Sequence, residues 1–312
     1  MSMHFRALAE QAAADGFISA DEVIGLRRQA WPDGVIDADE AEAILVINDL
    51  VKNATSEWTD FVIEAVGEFV INGSAPKGYV SDETAEWLIS RLDHDGRLDS
   101  MTELELVVRI LEKAQGAPDR LRAYALVQIE RAVVFGTGPT RDGGSLDAGC
   151  ISASECKLLR RAVFAGGGDG PARVSKAEAE MLFRIKDATL GAVNASDWER
   201  LFVQGVGNYL QGWRGANGLT RERAGELEVF MNDRTSHIGR FFGRMAKVDG
   251  DGFFSAAREV AFGEKPGRDI AAEAGVDAAV TGPEKLWLNA KIDDDGKADP
   301  LEQALLQFLQ EG

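Results

Sequence analysis

Cysteine is nearly missing from this chain of 312 residues, which has only Cys150 and Cys156. Two thiols are too few for a disulfide framework, and their spacing is not that of a CxxC pair. Both are expected to be small packing residues. Histidine is almost as scarce. His4, His94 and His237 stand apart from one another and from any second ligand, which argues against a His/Cys zinc site. No apolar run is long enough to span a bilayer, and Met1 to Ala14 contains no apolar h-region. Neither membrane insertion nor a secretory leader is therefore expected, and the expected location is the cytoplasm. Positive charge is also short: 34 Lys and Arg stand against 52 Asp and Glu, a formal net charge of −18. A field of that sign repels phosphate backbones and anionic lipid surfaces, and it attracts cations and basic protein partners. Catalytic signatures are missing too. The glycine-rich stretches 136–144 and 166–170 do not continue into Gly-Lys-Ser/Thr, and there is no nucleophile elbow or Ser/His/Asp pattern. An enzyme is thus unsupported by any motif but not excluded, and an uncharacterised enzyme stays as a third reading.

What the chain does have is a globular apolar fraction of 45% and an internal repeat. Ile18-Ser19-Ala20 with Glu22, Leu26, Arg27 and Arg28 recurs as Ile151-Ser152-Ala153 with Glu155, Leu159, Arg160 and Arg161, an offset of 133. Glu40-Ala41-Glu42 recurs as Glu178-Ala179-Glu180 at 138, and Ser56, Trp58, Val66 and Gly67 recur as Ser196, Trp198, Val206 and Gly207 at 140. Trp87-Leu88, Asp93, Asp95, Gly96 and Asp99 recur as Trp287-Leu288, Asp293, Asp295, Gly296 and Asp299 at 200. Four collinear blocks with two tryptophan matches point to a tandem duplication. The first module is expected at residues 1–116 and the second at 117–312, with an insertion in the second at about 214–275, where the offset jumps.

The modules read as all-helical. Trp58, Phe61, Val62, Ala65, Val66, Phe69 and Val70 recur at i, i+3, i+4, i+7, i+8, i+11 and i+12. Trp198, Leu201, Phe202, Gly205, Val206, Tyr209 and Leu210 repeat that stripe, and Leu301, Ala304, Leu305, Phe308 and Leu309 continue it near the C-terminus. Each is one apolar face of a 3.6-residue helix and reads as core. The pattern predicts helices over 3–13, 20–30, 37–53, 56–71, 81–92 and 99–115 in the first module. In the second it predicts 118–136, 152–164, 175–190, 196–212, 283–291 and 299–310. No strand of ordinary length is expected.

Between the helices a phrase recurs: Asp-Gly, a spacer, an apolar residue, Ser or Asp, then Glu three residues on. Two readings compete. In one, the glycine makes a tight turn and the Ser/Asp with its Glu forms a capping box that starts the next helix. This is the favoured reading for 15–22, 33–40, 149–155 and 170–178. In the other, the phrase is a cation loop whose positions 3, 5, 9 and 12 offer oxygens and whose position 6 is the glycine. The loop at 291–302 fits this best, with Asp293, Asp295, Asp299 and Glu302 at those positions and the Lys297 backbone carbonyl as a fifth ligand. Four carboxylates around one point repel unless a cation neutralises them, and Ca2+ suits an all-oxygen set. Lys291 stands at position 1 and is a protein-borne alternative to the ion. Asp93, Asp95 and Asp99, with Asp249 and Asp251, mark two further candidate loops. Tracing the helices up and down places Ile18 beside Leu98 and Ile36 beside Val80, as short two-stranded contacts.

These loops resemble EF-hands, 291–302 above all. The phrase Ala14-Asp15-Gly16-Phe17-Ile18-Ser19-Ala20-Asp21-Glu22, set between helices and repeated, also resembles the bacterial TerB-like tellurite-resistance family. That resemblance implies an all-helical fold, a link to metal-related stress responses, and acidic site positions at Asp15, Glu22, Asp33 and Glu40. The expected function is therefore a calcium-binding or cation-stabilised helical module. The alternative is a metal-independent protein-interaction scaffold.

Overall fold

The helices begin where the sequence places side chains that can take up orphan backbone N–H groups. Asp37, Thr55, Ser81, Ser100, Ser152 and Ser175 each accept a hydrogen bond from the backbone three residues on. The computed structural model describes residues 7, 10, 14–30, 35–93, 96, 98, 100–136, 138–139, 145–146, 149–167, 173–211, 221, 224, 282–292 and 298–311. Among these it has eleven helices: α1 (Ala20–Ala30), α2 (Ala38–Leu50), α3 (Ser56–Asn72), α4 (Asp82–Leu92), α5 (Met101–Lys113), α6 (Asp119–Phe135), α7 (Ala153–Val163), α8 (Lys176–Ala188), α9 (Asp197–Leu210), α10 (Gly282–Ile292) and α11 (Pro300–Glu311). Two two-residue strands, β1 (Gly138–Pro139) and β2 (Ser145–Leu146), pair antiparallel. The fold is mostly helical, and no described helix is long and apolar enough to cross a membrane. The expected helix over 3–13 falls largely outside the described residues, as does nearly all of 214–275.

Two helices act as hubs. α3 packs against α1, α2, α4 and α5, and α9 packs against α7, α8 and α11. Their apolar stripes supply the largest fully buried side chains, Trp58 and Phe61 on α3 and Trp198 and Phe202 on α9. Burying one such side chain stabilises by roughly 1.5–3 kcal/mol, so the hubs dominate the core. α6 lies between the two groups, touching α4 and α5 on one side and α7 and α8 on the other. The buried residues form one continuous cluster from Ile18 to Leu305. Arg161 spans the groups, with Nη1 2.8 Å from Glu105, and Arg184 ties α8 to α6 with Nη2 2.7 Å from Glu130.

Contacts in the two groups pair off. Phe69 meets Trp87 edge-on at 5.2 Å, and Tyr209 meets Trp287 edge-on at 5.0 Å. The Trp87 indole donates to Glu42 at 3.2 Å, and the Trp287 indole donates to Glu180 at 3.4 Å. Arg27 reaches Glu64 at 2.6 Å, and Arg160 reaches Gln204 at 2.9 Å. The Ile18 carbonyl accepts from Thr55 Oγ1, and the Ile151 carbonyl accepts from the Ala195 N–H.

The loops meet differently from expectation. Val80 donates its N–H to the Gly116 carbonyl at 3.1 Å, and Gln115 donates to Gly78 at 2.7 Å, so the partner of 78–80 is the α5–α6 linker and not Ile36. The Leu98 N–H is donated to the Gln128 side chain, not to Ile18. The physical reason is burial. Ile18, Ile36, Val80, Ile151 and Val174 are all core residues, so the apolar position after each turn anchors that turn to the core.

Glycines on the hub helices separate open space from tight packing. A Cβ on Gly67 would meet only Leu106 Cδ1, at 3.9 Å, whereas a Cβ on Gly205 would lie 2.5 Å from Cδ1 of fully buried Leu182. Gly67→Ala should stabilise the protein by up to about 1 kcal/mol through helix propensity. Gly205→Ala should destabilise it by about 1–3 kcal/mol through overpacking. Urea unfolding of both variants checks the pair, and shifts of the same sign would contradict this packing.

Candidate functional site

At the start of α11 the residues expected to hold an ion serve first as a helix cap. Asp299 Oδ1 accepts from the N–H of Leu301 at 2.8 Å and of Glu302 at 3.0 Å, and Glu302 Oε2 accepts from the Asp299 N–H at 2.9 Å. This reciprocal box uses one oxygen of each carboxylate. The other two oxygens converge on one ammonium: Lys186 Nζ donates to Asp299 Oδ2 at 2.6 Å and to Glu302 Oε1 at 2.7 Å. Its third contact is Asp187 Oδ1 at 2.8 Å. The Lys186, Asp299 and Glu302 side chains are only 4%, 8% and 4% exposed, while Asp187 is 65% exposed. A three-proton donor thus meets three carboxylates, two of them buried with it.

Lys186 reaches this point from the buried face of α8, among Met181, Leu182, Phe183 and Ile185. Its ammonium lies 5.5 Å from the Phe183 ring centroid. Burial pulls its pKa down, but the hydrogen bonds it donates to Asp187, Asp299 and Glu302 outweigh burial and hold it above the ordinary lysine range. A lysine charged this firmly is neither a nucleophile nor a general base near neutral pH. The cation bonded to Asp299 and Glu302 is Lys186, a residue sequence reasoning passed over in favour of Lys291. A signal was available: the offset of 138 that aligns Glu40 with Glu178 places Lys186 opposite Asn48, in an otherwise apolar stripe.

Asn48 shows what the exchange does. In the first group the indole N–H of fully buried Trp58 donates to Asn48 Oδ1 at 3.2 Å. In the second, Lys186 stands at the offset position, and the Nε1 of equally buried Trp198 has no hydrogen-bond partner among the described residues. One buried donor is left unsatisfied while two buried carboxylates gain a counter-charge.

The loop after α4 is clamped by α6. Gln128 Nε2 donates to the Gly96 carbonyl at 3.0 Å, and Arg131 Nη1 donates to the same oxygen. Gly96 has φ +81°, a left-handed conformation that favours glycine. Asp93 is the C-cap of α4, its N–H bonded to the Ile89 carbonyl. Arg91, the cation at that loop's first position, turns away to Glu42 at 3.0 Å and Asp49 at 2.6 Å. The Tyr124 hydroxyl nearby is pushed up by burial, with the fields of Asp93 and Glu103 adding to the effect.

The remaining described candidates are local. Asp15 Oδ1 accepts from the Phe17 N–H at 2.9 Å, closing the turn at Gly16. Glu22 Oε2 accepts from the Ser19 N–H at 2.8 Å and Oγ at 2.6 Å, and Glu40 forms a capping box with Asp37. Glu103, Glu155 and Glu178 form the same box with Ser100, Ser152 and Ser175. Asp33, Asp95, Asp99, Asp249, Asp251, Asp293, Asp295 and Lys297 lie outside the described residues. Among the described residues no three His, Cys, Asp or Glu side chains are grouped as a metal site. Burial pushes the Cys156 thiol up to about 11, with Asp197 and Glu155 adding to the effect, whereas Cys150 is partly exposed.

No protein-family model, curated protein or solved structure matches the chain significantly.

Two outcomes follow from this geometry. Lys186→Met strands two buried carboxylates and should cost about 3–5 kcal/mol in denaturant unfolding. Adding Asp299→Asn and Glu302→Gln, which keep the cap, should recover most of that. Because the Lys186 pKa is raised, its contribution is fully present below the unfolded value of about 10.4 and is lost as pH rises through the higher native one. On the alkaline side the gap between wild type and Lys186→Met should therefore begin to narrow above about pH 10.4. Separately, Ellman's reagent should titrate one thiol, Cys150, in the native protein and both after unfolding. Two reactive native thiols would contradict the burial of Cys156.

Proposed function

We propose that the chain is a metal-independent acidic scaffold built from two diverged copies of one helical module, whose surface takes up basic protein partners. The observation that carries the reading is Lys186. Its ammonium sits between Asp299 and Glu302, the two described residues of the best candidate calcium loop, within 2.7 Å of both. Arg131 on the Gly96 carbonyl supports the same reading at the other acidic loop. At the first loop a cation carried by the chain addresses carboxylates that an ion would address, and at the second a cation carried by the chain is bonded to the turn itself. The paired contacts of Phe69–Trp87 with Tyr209–Trp287, and of Arg27–Glu64 with Arg160–Gln204, support descent of the two groups from one module. The net charge of −18 supports basic partners, whose approach it accelerates.

Calcium at 291–302 is the competing reading. One ammonium leaves the buried Asp299–Glu302 pair with one negative charge in excess, and Asp293, Asp295 and the Lys297 carbonyl complete the expected ligand set. Calcium binding there requires Lys186 to be displaced from both carboxylates.

Melting curves separate the two. Ca2+ at about 1 mM, well above sensor-type dissociation constants, should leave the melting temperature equal to that in chelator, with no heat on titration. A rise in melting temperature that Asp295→Ala abolishes would establish the calcium module instead.

A further inference from the structure

The two hub helices carry the same glycine notch, filled by an aromatic ring in one group and by none of the described rings in the other. On α9, a Cβ at Gly207 would lie 2.6 Å from Phe308 Cε1 and 3.0 Å from Cδ1, so the Phe308 ring of α11 occupies that notch. On α3, a Cβ at the matching Gly67 would meet, among the described residues, only Leu106 Cδ1, at 3.9 Å. Leu106 on α5 and Leu305 on α11 are both fully buried against their hubs. Three residues beyond each stands the group that decides the notch: Phe308 on α11 and Arg109 on α5. Arg109 is bonded to Glu112 at 3.1 Å, and the space over Gly67 is a cleft of about 650 Å³.

The walls of this cleft are oppositely charged. Asp60, Glu64 and Glu68 line it from α3 at i, i+4 and i+8, and Arg109 and Lys113 line it from α5 at i and i+4. The floor between them is Ile63, Gly67 and Ile71. Arg27, bonded to Glu64, stands at one end. An occupant suited to this space carries a flat ring for the notch, a cation for the α3 wall and an anion for the α5 wall.

We propose that the cleft binds a free aromatic α-amino acid. Its ring packs on Gly67 as Phe308 packs on Gly207. Its ammonium faces the α3 carboxylates, and its carboxylate faces Arg109 and Lys113, where an arginine gives a two-point contact. Ring and charges act together, and neither suffices alone.

The test uses the full chain and three probes: L-phenylalanine, benzyl alcohol (the ring alone) and glycine (the charges alone). Saturation-transfer NMR should show L-phenylalanine ring protons bound at millimolar concentration, benzyl alcohol bound at least about tenfold more weakly, and no glycine signal. Arg109→Phe, which supplies from α5 the ring that Phe308 supplies from α11, should abolish the L-phenylalanine signal. Glu68→Gln combined with Lys113→Met, two changes on the cleft walls that leave the floor intact, should weaken it about tenfold or more even if Arg109→Phe fails to fold. Absence of L-phenylalanine binding at ~10 mM would overturn the proposal. So would equal binding of benzyl alcohol, or a signal unchanged in the folded variants.

Discussion

One ammonium ties the C-terminal helix to the rest of the molecule. Lys186 holds Asp299 and Glu302, and those same carboxylates start α11 through their other oxygens. Helix initiation and helix docking are therefore one event at one place. If the ammonium moved away, the cap would survive, but two charges would be buried against an apolar face without compensation. A buried ion pair of this kind is weak evidence for net stability, because an apolar substitute often does as well. What it does supply is selectivity. α11 can dock its charged end only where a lysine waits, and the matching position in the first group is Asn48, which instead satisfies Trp58. The cost of that arrangement is the Trp198 Nε1, which finds no partner among the described residues.

The two helical groups are joined as firmly as they are built. α6 lies against both, its buried residues Leu121, Ala125, Ile129 and Val133 spaced four apart along its length. Arg161 crosses from α7 to Glu105 and Glu112 on α5, and its guanidinium is held above its ordinary pKa by those carboxylates against the opposing effect of burial. The same α6 also reaches back with Gln128 and Arg131 to fasten the turn at Gly96. This helix thus packs against helices of both groups, and the cluster of buried residues runs on across residue 117.

Most of the helices were legible from periodicity and capping signals. The stripe from Trp58 to Val70 predicts a helix over 56–71, and the helix is Ser56–Asn72; Ser152 with Glu155 predicts 152–164, and the helix is Ala153–Val163. Those signals are local, so a one-dimensional reading captures them. The glutamates of the recurrent phrase could be read either as ligands or as cap residues, because both roles place an oxygen at the same spacing; Glu22, Glu40, Glu103, Glu155, Glu178 and Glu302 all serve caps. Loop pairing was not legible, since which turn meets which depends on where α5 ends, and its linker reached 78–80 first. Lys186 was missed for a different reason. A single lysine in an apolar stripe is ordinarily assumed to bend its charge out to water, and its partners lie 113 and 116 residues away.

The account rests on the claim that the chain carries its own cation where an acidic loop seemed to want one. A crystal structure grown in millimolar calcium tests this most directly, because it reads Lys186 and residues 291–302 together. The account predicts Lys186 Nζ within hydrogen-bond distance of both Asp299 and Glu302, with no ion bound between them. A calcium ion ligated by Asp293, Asp295, Asp299 and Glu302, with Lys186 swung away, would contradict it.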